Sequence, residues 1–406
     1  MKLPEYVKRC IDRLNGAGYS AYAVGGAVRD SLLGVEPSDW DVTTSARPDE
    51  ILQVFEGERT IPTGIKHGTV TVLACADNGL RFPVEITTYR IDGEYKDSRH
   101  PESVSFSNDI LDDLARRDFT VNAMAFNERD GLIDGFGGVE DLNRGVIRAV
   151  GEPQKRFTED ALRILRAFRF AAQLGFEIEE KTLEGANACA HLLKNIARER
   201  IGVEFKKLLA SSGVVYSLEN MVRGGVWKVL FGNFTPSEEA ILGASRLENG
   251  NFATRLSVLI SEADRDVIDE FLNSLRLSNA EKKLVTRLCS IKEFVISDNA
   301  DSKCARSFLH YYRDILPMAL ETLTFYHDDA SEFIEIVITE SLKDRPLAIS
   351  DLAVNGNDLL PLCEGNYKQM GLLLNSLLDR VIENPEGNDK NILLALAKEL
   401  IKRGLN

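Results

Sequence analysis

Two carboxylates one residue apart, Asp39 and Asp41, close a stretch that opens on a glycine pair, Gly25 and Gly26, in GGAVRDSLLGVEPSDWDV. If Trp40 lies on a strand, alternation sends Asp39 and Asp41 to one face and Trp40 into packing. Two carboxylates on one face suit Mg²⁺, a hard cation that keeps several waters and bridges phosphate oxygens. The glycines let backbone approach an anion, and Arg29, one turn further on, would neutralise charge there. Each element alone also has an ordinary reading, as a tight turn or an acidic surface loop, and Asp-x-Asp serves metal-dependent glycosyltransferases too.

Three more places carry candidate chemistry. In PVEITTY, Glu85 stands among apolar neighbours, costly unless it meets a charge or a metal. It is either a third carboxylate for the Asp39 and Asp41 site or the partner of a nearby arginine. In DLARRDFTVNAMAF, Arg116 and Arg117 sit beside Asp118. They form a local ion pair at an element boundary or set an arginine against a triphosphate.

The third place is FTEDALRILRAFRFAAQLGF, where Asp160, Arg163, Arg166 and Arg169 recur every third residue among apolar positions. This stripe is either an ordinary solvated helix face or a directed array, holding a triphosphate at one end and a base at the other. Asp160 accepts hydrogen bonds and Arg163 donates them. Cytosine and adenine present an amine donor beside a ring-nitrogen acceptor, whereas guanine and uracil present the reverse. Such a pair takes C and A and refuses G and U, by roughly a thousandfold or more, because a wrong base leaves buried polar groups unpaired.

The elements that must position these residues are legible in outline. Residues 4–15 have helical period, with Tyr6, Val7, Cys10, Ile11 and Leu14 on one face and Gly16 and Gly18 at the end. Strand-like runs follow at Ala21–Val24, Asp39–Thr43, Thr69–Cys75 and Phe82–Tyr89, and Asn78-Gly79 predicts an antiparallel turn between the last two. Arg90 to Pro101 reads as a mobile loop. Thr158 is the expected N-cap and Gly175 the expected end of a helix over Thr158–Leu174. Further helices are expected at Ile196–Leu209, Glu238–Arg246, Ala280–Val295, Asn366–Ile382 and Asn391–Arg403.

The 406 residues are 44% hydrophobic and 28% charged, which suits two to four domains with ample core. No run is apolar for long enough to span a bilayer, and the charges among Lys2, Lys8, Arg9 and Arg13 argue against a secretory leader, so a cytoplasmic protein is expected. The six cysteines lack Cys-x-x-Cys spacing and read as reduced core residues. The net charge is −14, yet residues 153–210 balance to +3. That segment is where a nucleotide or a nucleic-acid backbone would be held.

Taken in order, GGAVRDSLLG with DWDV, RRDFTVNAMA, IDGFGGVEDL, RFTEDALRILRAFRFAAQLGF and ARERIGVEFKKLL resemble the five motifs of class II tRNA nucleotidyltransferases, the CCA-adding enzymes. The resemblance covers residues 20–210 closely. It implies an α/β nucleotidyltransferase head, a small mixed β-sheet with helices, followed by an all-α neck, body and tail. The corresponding ranges are 1–145, 146–210, 211–295 and 296–406, with tRNA held by the tail. It implies template-independent addition of CCA to tRNA from CTP and ATP by two-metal transfer, with Mg²⁺ as cofactor and no membrane or obligate protein partner.

By the same resemblance, Asp39 and Asp41 would bind metal; Glu85, singled out above on its own flanking sequence, stands beside them as a catalytic candidate. Gly25, Gly26 and Arg29 would contact the nucleotide, Arg117 would meet its phosphates, and Asp160 and Arg163 would read the base. Arg166 and Arg169 would complete the pocket, Glu199 to Lys207 would support it, and Arg90 to Pro101 would be the loop that switches C to A addition. A terminal-A-adding enzyme and a poly(A) polymerase share these motifs, although the strongly basic C-terminus usual in the latter is absent. A non-catalytic RNA-binding module would be expected to lose Asp39 or Asp41.

Overall fold

The computed structural model describes residues 1–62, 64–76, 79–93, 104–232, 234–247, 251–297, 301–327, 329–363 and 366–403. The chain forms two compact units, one of Met1–Ser245 with Ala263–Leu277 and one of Arg246–Glu262 with Ser278–Asn406.

The first unit begins with helix α1 (Glu5–Gly16), which buries Val7, Cys10, Ile11 and Leu14 at the spacing of one helix face. A mixed sheet follows, built from β1 (Ala21–Val24), β2 (Asp41–Thr44), β3 (Thr60–Ile61), β4 (Thr69–Cys75) and β5 (Arg81–Thr88). A small hairpin, β6 (Arg90–Asp92) with β7 (Val104–Phe106), lies beside it, and β8 (Ala125–Asn127) and β9 (Gly131–Ile133) complete it in the order β3-β4-β5-β2-β1-β8-β9. The interior strand β1, between β2 and β8, is buried throughout, as its run AYAV requires. The β4–β5 pair is antiparallel, as expected, with Gly79 at φ +78°; Asn78 lies outside the described residues. Val70, Val72 and Ala74 of β4 and Val84 and Ile86 of β5 are buried on one face. The residues between them therefore point to the other.

Helices α2 (Gly26–Leu32), α3 (Pro48–Val54), α4 (Ile110–Ala115) and α5 (Gly138–Arg144) connect the strands. A short parallel ladder of β10 (Val146–Ile147) with β11 (Glu177–Ile178) leads into the helical part. The single helix expected over Thr158–Leu174 is two, α6 (Pro153–Glu159) and α7 (Leu162–Leu174), because Asp160 takes extended backbone at φ −138°, ψ 102°. Thr158 is not the cap. It lies inside α6, where its hydroxyl donates to Gln154 O at 2.8 Å. Gly175, at φ +68°, ends α7 as expected.

After α8 (Glu180–Cys189), helix α9 (Arg198–Leu209) packs beside α7 and starts two residues later than expected. A Cβ on Gly202 would lie 2.4 Å from Leu275 O, so α9 meets that carbonyl too closely for a side chain. Phe205, Trp227, Phe231 and Phe271 fill this part of the core with ring centroids 4.4 to 6.3 Å apart.

The second unit is helical, and the helix expected over Glu238–Arg246 is present with those bounds, its last residue opening that unit. The helix expected over Ala280–Val295 stops at Cys289 and passes into a tighter turn at Ser290–Glu293. Buried Arg306 donates Nε to Ile382 O at 2.7 Å and Nη2 to Glu383 O at 3.0 Å, which satisfies the end of helix Tyr367–Glu383. All six cysteines are free, but only Cys10, Cys189 and Cys363 are core residues; Cys75 is exposed at the end of β4. Among the described residues, no helix is long and apolar enough to cross a membrane.

Candidate active site

The strand that carries the first carboxylates is shorter than expected and begins at Asp41. Asp39 lies in the preceding loop, where its Oδ1 accepts from the Ser38 hydroxyl at 2.7 Å. Alternation persists into that loop, with Trp40 buried and Asp39 and Asp41 exposed. Glu85 is the register partner of Asp41 in the parallel β2–β5 ladder. Its apolar neighbours belong to the opposite face, so Glu85 is exposed beside Asp41 rather than enclosed, as its flanking sequence had implied. Although Asp41 is partly exposed, protein around its carboxylate displaces water. That loss, the charge of Glu85 and, more weakly, that of Asp39 push its pKa up to about 6 against the pull of Arg117.

Among the described residues, no group of three or more His, Cys, Asp or Glu side chains is placed to hold a metal ion by itself. The candidate donor set is a pair, Asp39 and Asp41, in a neighbourhood where the charge of Glu85 adds to theirs. A pair of carboxylates completed by substrate oxygens and water is the set Mg²⁺ takes, so the residues fit that ion.

Arg117 links these carboxylates to the glycine turn. Buried Asp113 accepts from Arg116 Nε and Nη2 at 2.9 and 2.6 Å, from Arg117 Nη2 at 3.2 Å and from the Thr43 hydroxyl at 3.1 Å. Burial opposes the Asp113 charge, but the two arginines outweigh it and hold the pKa below the usual carboxylate value. Gly25 has φ +77° and ψ −134°, and a Cβ there would lie 3.0 Å from Arg117 Nη1. The local ion pair therefore forms, with Asp113 at the end of α4 and not with Asp118, and Arg117 also reaches the glycine turn.

A chain of hydrogen bonds continues from that turn into the helices. Arg29 donates Nη1 to Asn122 Oδ1 at 2.6 Å, and Asn122 donates Nδ2 to Asp118 Oδ1 at 3.2 Å. Arg166 then donates Nε and Nη2 to Asp118 Oδ2 at 2.8 and 2.6 Å. Burial works against the Asp118 carboxylate, but the charge and hydrogen bonds of Arg166 and the Asn122 amide hold its pKa at about 2. One turn on, Arg169 Nε lies 2.9 Å from Glu204 Oε2 on α9, with both side chains buried. Burial lowers the Arg169 pKa to about 10, so it stays charged at neutral pH. The arginine stripe of α7 faces inward and is not a solvated surface.

Asp160 and Arg163 do not meet. Asp160 caps α7, its Oδ1 accepting from Leu162 N at 3.1 Å, while its Oδ2 accepts from Arg200 Nη2 at 3.1 Å. Arg163 donates Nη1 to Glu159 Oε2 at 2.8 Å and to Arg156 O at 3.2 Å, and Nη2 to Arg116 O at 2.8 Å. The two side chains leave the α6–α7 break in different directions. Of the stretch Arg90 to Pro101 expected as a loop, Arg90–Asp92 instead form strand β6, paired with β7, and residues 94–101 lie outside the described residues.

Sequence reasoning missed Asp113, Asn122, Glu159, Arg200 and Glu204 as individuals. The test that singled out Glu85, a polar group among apolar neighbours, would have found Asn122 in FTVNAMAF and Glu204 in IGVEF. Both are buried.

Residues 21–148 match the family described as the poly A polymerase head domain, and residues 175–237 match the probable RNA and SrmB-binding site of polymerase A. The CCA-adding enzyme of Limosilactobacillus fermentum is 36% identical over 402 residues, 98% of this chain and 97% of its own length. That of Enterococcus faecalis is 35% identical over 403 residues, 97% of this chain and 95% of its own. The solved structure of the Bacillus stearothermophilus CCA-adding enzyme in complex with CTP superposes with a TM-score of 0.83 at 29% identity, covering 99% of each chain.

Proposed function

Because this chain belongs to the family of CCA-adding enzymes, we propose that it extends the 3′ end of tRNA by C, C and A, using CTP and ATP and working in the cytoplasm. In this reading residues 1–145 are the catalytic head, 146–210 the neck that reads the base, and 211–295 and 296–406 the body and the tRNA-binding tail. The observation that carries it is the chain Arg29–Asn122–Asp118–Arg166, which ties the glycine turn of the head to the helix that carries Arg163 and follows Asp160.

Asp39 and Asp41 would hold Mg²⁺, which when bound supplies Lewis-acid stabilisation of the attacking and departing oxygens, with two ions sharing the task. Gly25 and Gly26 admit the triphosphate to the backbone, where Arg29, Arg117, Arg166 and Arg169 offset its charge. The terminal 3′-oxygen of the tRNA attacks the α-phosphorus in line, an O3′–P bond forms, and the bond to pyrophosphate breaks. The arginines around the β- and γ-phosphates stabilise the charge that accumulates on that leaving group. Glu85, level with Asp41, adds negative potential that favours cations at this edge.

Base choice falls to Asp160 and Arg163. An incoming cytosine or adenine offers its amine to Asp160 and its ring nitrogen to Arg163, which gives up carbonyl partners for it. Guanine or uracil would face donor with donor. Replacing Asp39 or Asp41 by Ala tests the assignment: turnover should vanish while tRNA affinity and fold persist. Retained turnover would remove these residues from the metal site.

A further inference from the structure

Phe170, on α7, is 7% exposed and surrounded by three cations. Its ring centroid lies 4.0 Å from the Arg169 guanidinium carbon and 5.2 Å from those of Arg29 and Arg166. Phe119 meets the same ring edge-on at 5.8 Å. Arg29 comes from α2 of the head, beside the glycine turn, whereas Arg166 and Arg169 precede Phe170 on its own helix. Three guanidiniums so close together repel one another. Arg29 has Asp30 at 2.7 Å and Arg166 has Asp118 at 2.6 Å, Glu204 lies 2.9 Å from Arg169 and 3.7 Å from Arg166, and Asn122 links Arg29 to Asp118, yet none of these polar groups touches all three cations. The neighbour shared by all three is the ring, whose negative face attracts each cation. An aliphatic side chain of similar volume would fill the space without that attraction.

We infer that Phe170 is a positioning residue for nucleotide binding: its ring gathers Arg29 of the head with Arg166 and Arg169 of the neck into one cationic cluster that receives the triphosphate. The inference rests on the pocket assignment above and deepens it. Arg163 stands outside the cluster, bound to Glu159 and to two backbone carbonyls. Phe170 therefore governs how tightly any nucleotide binds and not which base is chosen.

The test separates ring electrostatics from space filling. Phenylalanines carrying one, two and five fluorines, installed at position 170 of the full chain, keep the ring apolar and close to its size while progressively cancelling its negative face. On tRNA ending in C or CC, KM for CTP and for ATP should rise together and stepwise, reaching about tenfold with five fluorines, while the preference over UTP and GTP holds. A KM flat across the series, with only Phe170→Leu impaired through lost stability, would overturn the inference. Selective ¹⁵N-arginine labelling gives an independent readout. Three Nε–H signals should be shifted by the ring current and should move in Phe170→Leu; no shifted signals would also overturn the inference. If the unaltered protein fails to extend tRNA, the proposed function falls, and calorimetric CTP affinity across the series then decides for Phe170. A stepwise loss supports it and a flat series removes it.

Discussion

Arg163 gives its guanidinium to Glu159 at 2.8 Å and none of it to Asp160, whose free oxygen is held by Arg200 at 3.1 Å. The two side chains proposed to read the base are thus each anchored from outside the pair, Arg163 by α6 and Asp160 by α9. Arg163→Ala should lower the preference for CTP over UTP by about a hundredfold or more, with a smaller loss in CTP turnover. Single-nucleotide kcat/KM ratios check this. Unchanged preference would remove Arg163 from base reading.

Arg200→Ala leaves Asp160 tethered only by the Leu162 amide. The expected result is a loss of discrimination of about tenfold, smaller than for Arg163→Ala, with Lys at position 200 restoring part of it. The same kcat/KM ratios decide.

Asp41 combines a functional requirement with a structural cost. Its pKa of about 6 exceeds the ordinary 3.8, so between those values the folded protein without metal holds a proton that the unfolded chain has released. Stability therefore falls as pH rises from ~4 to about 6, and the charged carboxylate is a liability until a cation arrives. Asp41→Asn should raise Tm of the metal-free protein at pH 7.5, abolish incorporation, and remove the rise in Tm that Mg²⁺ gives the unaltered chain. A lower Tm for Asp41→Asn in chelator would contradict this.

Asp118 behaves in the opposite sense. Held at about 2 against an ordinary 3.8, it stays charged in the folded protein after the unfolded chain has taken up its proton. Its contribution, on the order of 2 kcal/mol, is complete above ~pH 4 and drains away as pH falls toward about 2. Urea unfolding at a series of acidic pH values should show a shallower acid loss in Asp118→Asn, from a lower starting stability.

Gly25→Ala imposes a side chain at φ +77° and sets a Cβ 3.0 Å from Arg117 Nη1. The backbone term alone is about 1–2 kcal/mol. Stopped-flow CTP binding should weaken along with Tm, because Arg117 is displaced from the turn. The same change at Gly16, where a Cβ would meet nothing within 4 Å, should leave CTP binding unaltered.

The sequence was most informative where periodicity and chemistry coincide. The pleat of β4 and β5, the buried face of α1 and the stop at Gly175 follow from local pattern. So does the pairing of buried Trp40 with outward Asp39 and Asp41, which needs only alternation. What escaped was set by tertiary partners. Nothing local says that α7 begins after Asp160, because the break is fixed by Asp160 capping Leu162 and bonding to Arg200 from forty residues away. The inward turn of Arg166 and Arg169 depends likewise on Asp118 and Glu204, and the exposure of Glu85 on which face of the sheet α1 and α3 cover.

The most direct measurement offers purified protein, Mg²⁺ and each labelled nucleotide singly to tRNA ending at the discriminator base, at C and at CC. The account predicts C added to the first two and one A to the third, with no U or G. Long A tails, A on the CC-ending tRNA alone, or no incorporation at all would contradict it.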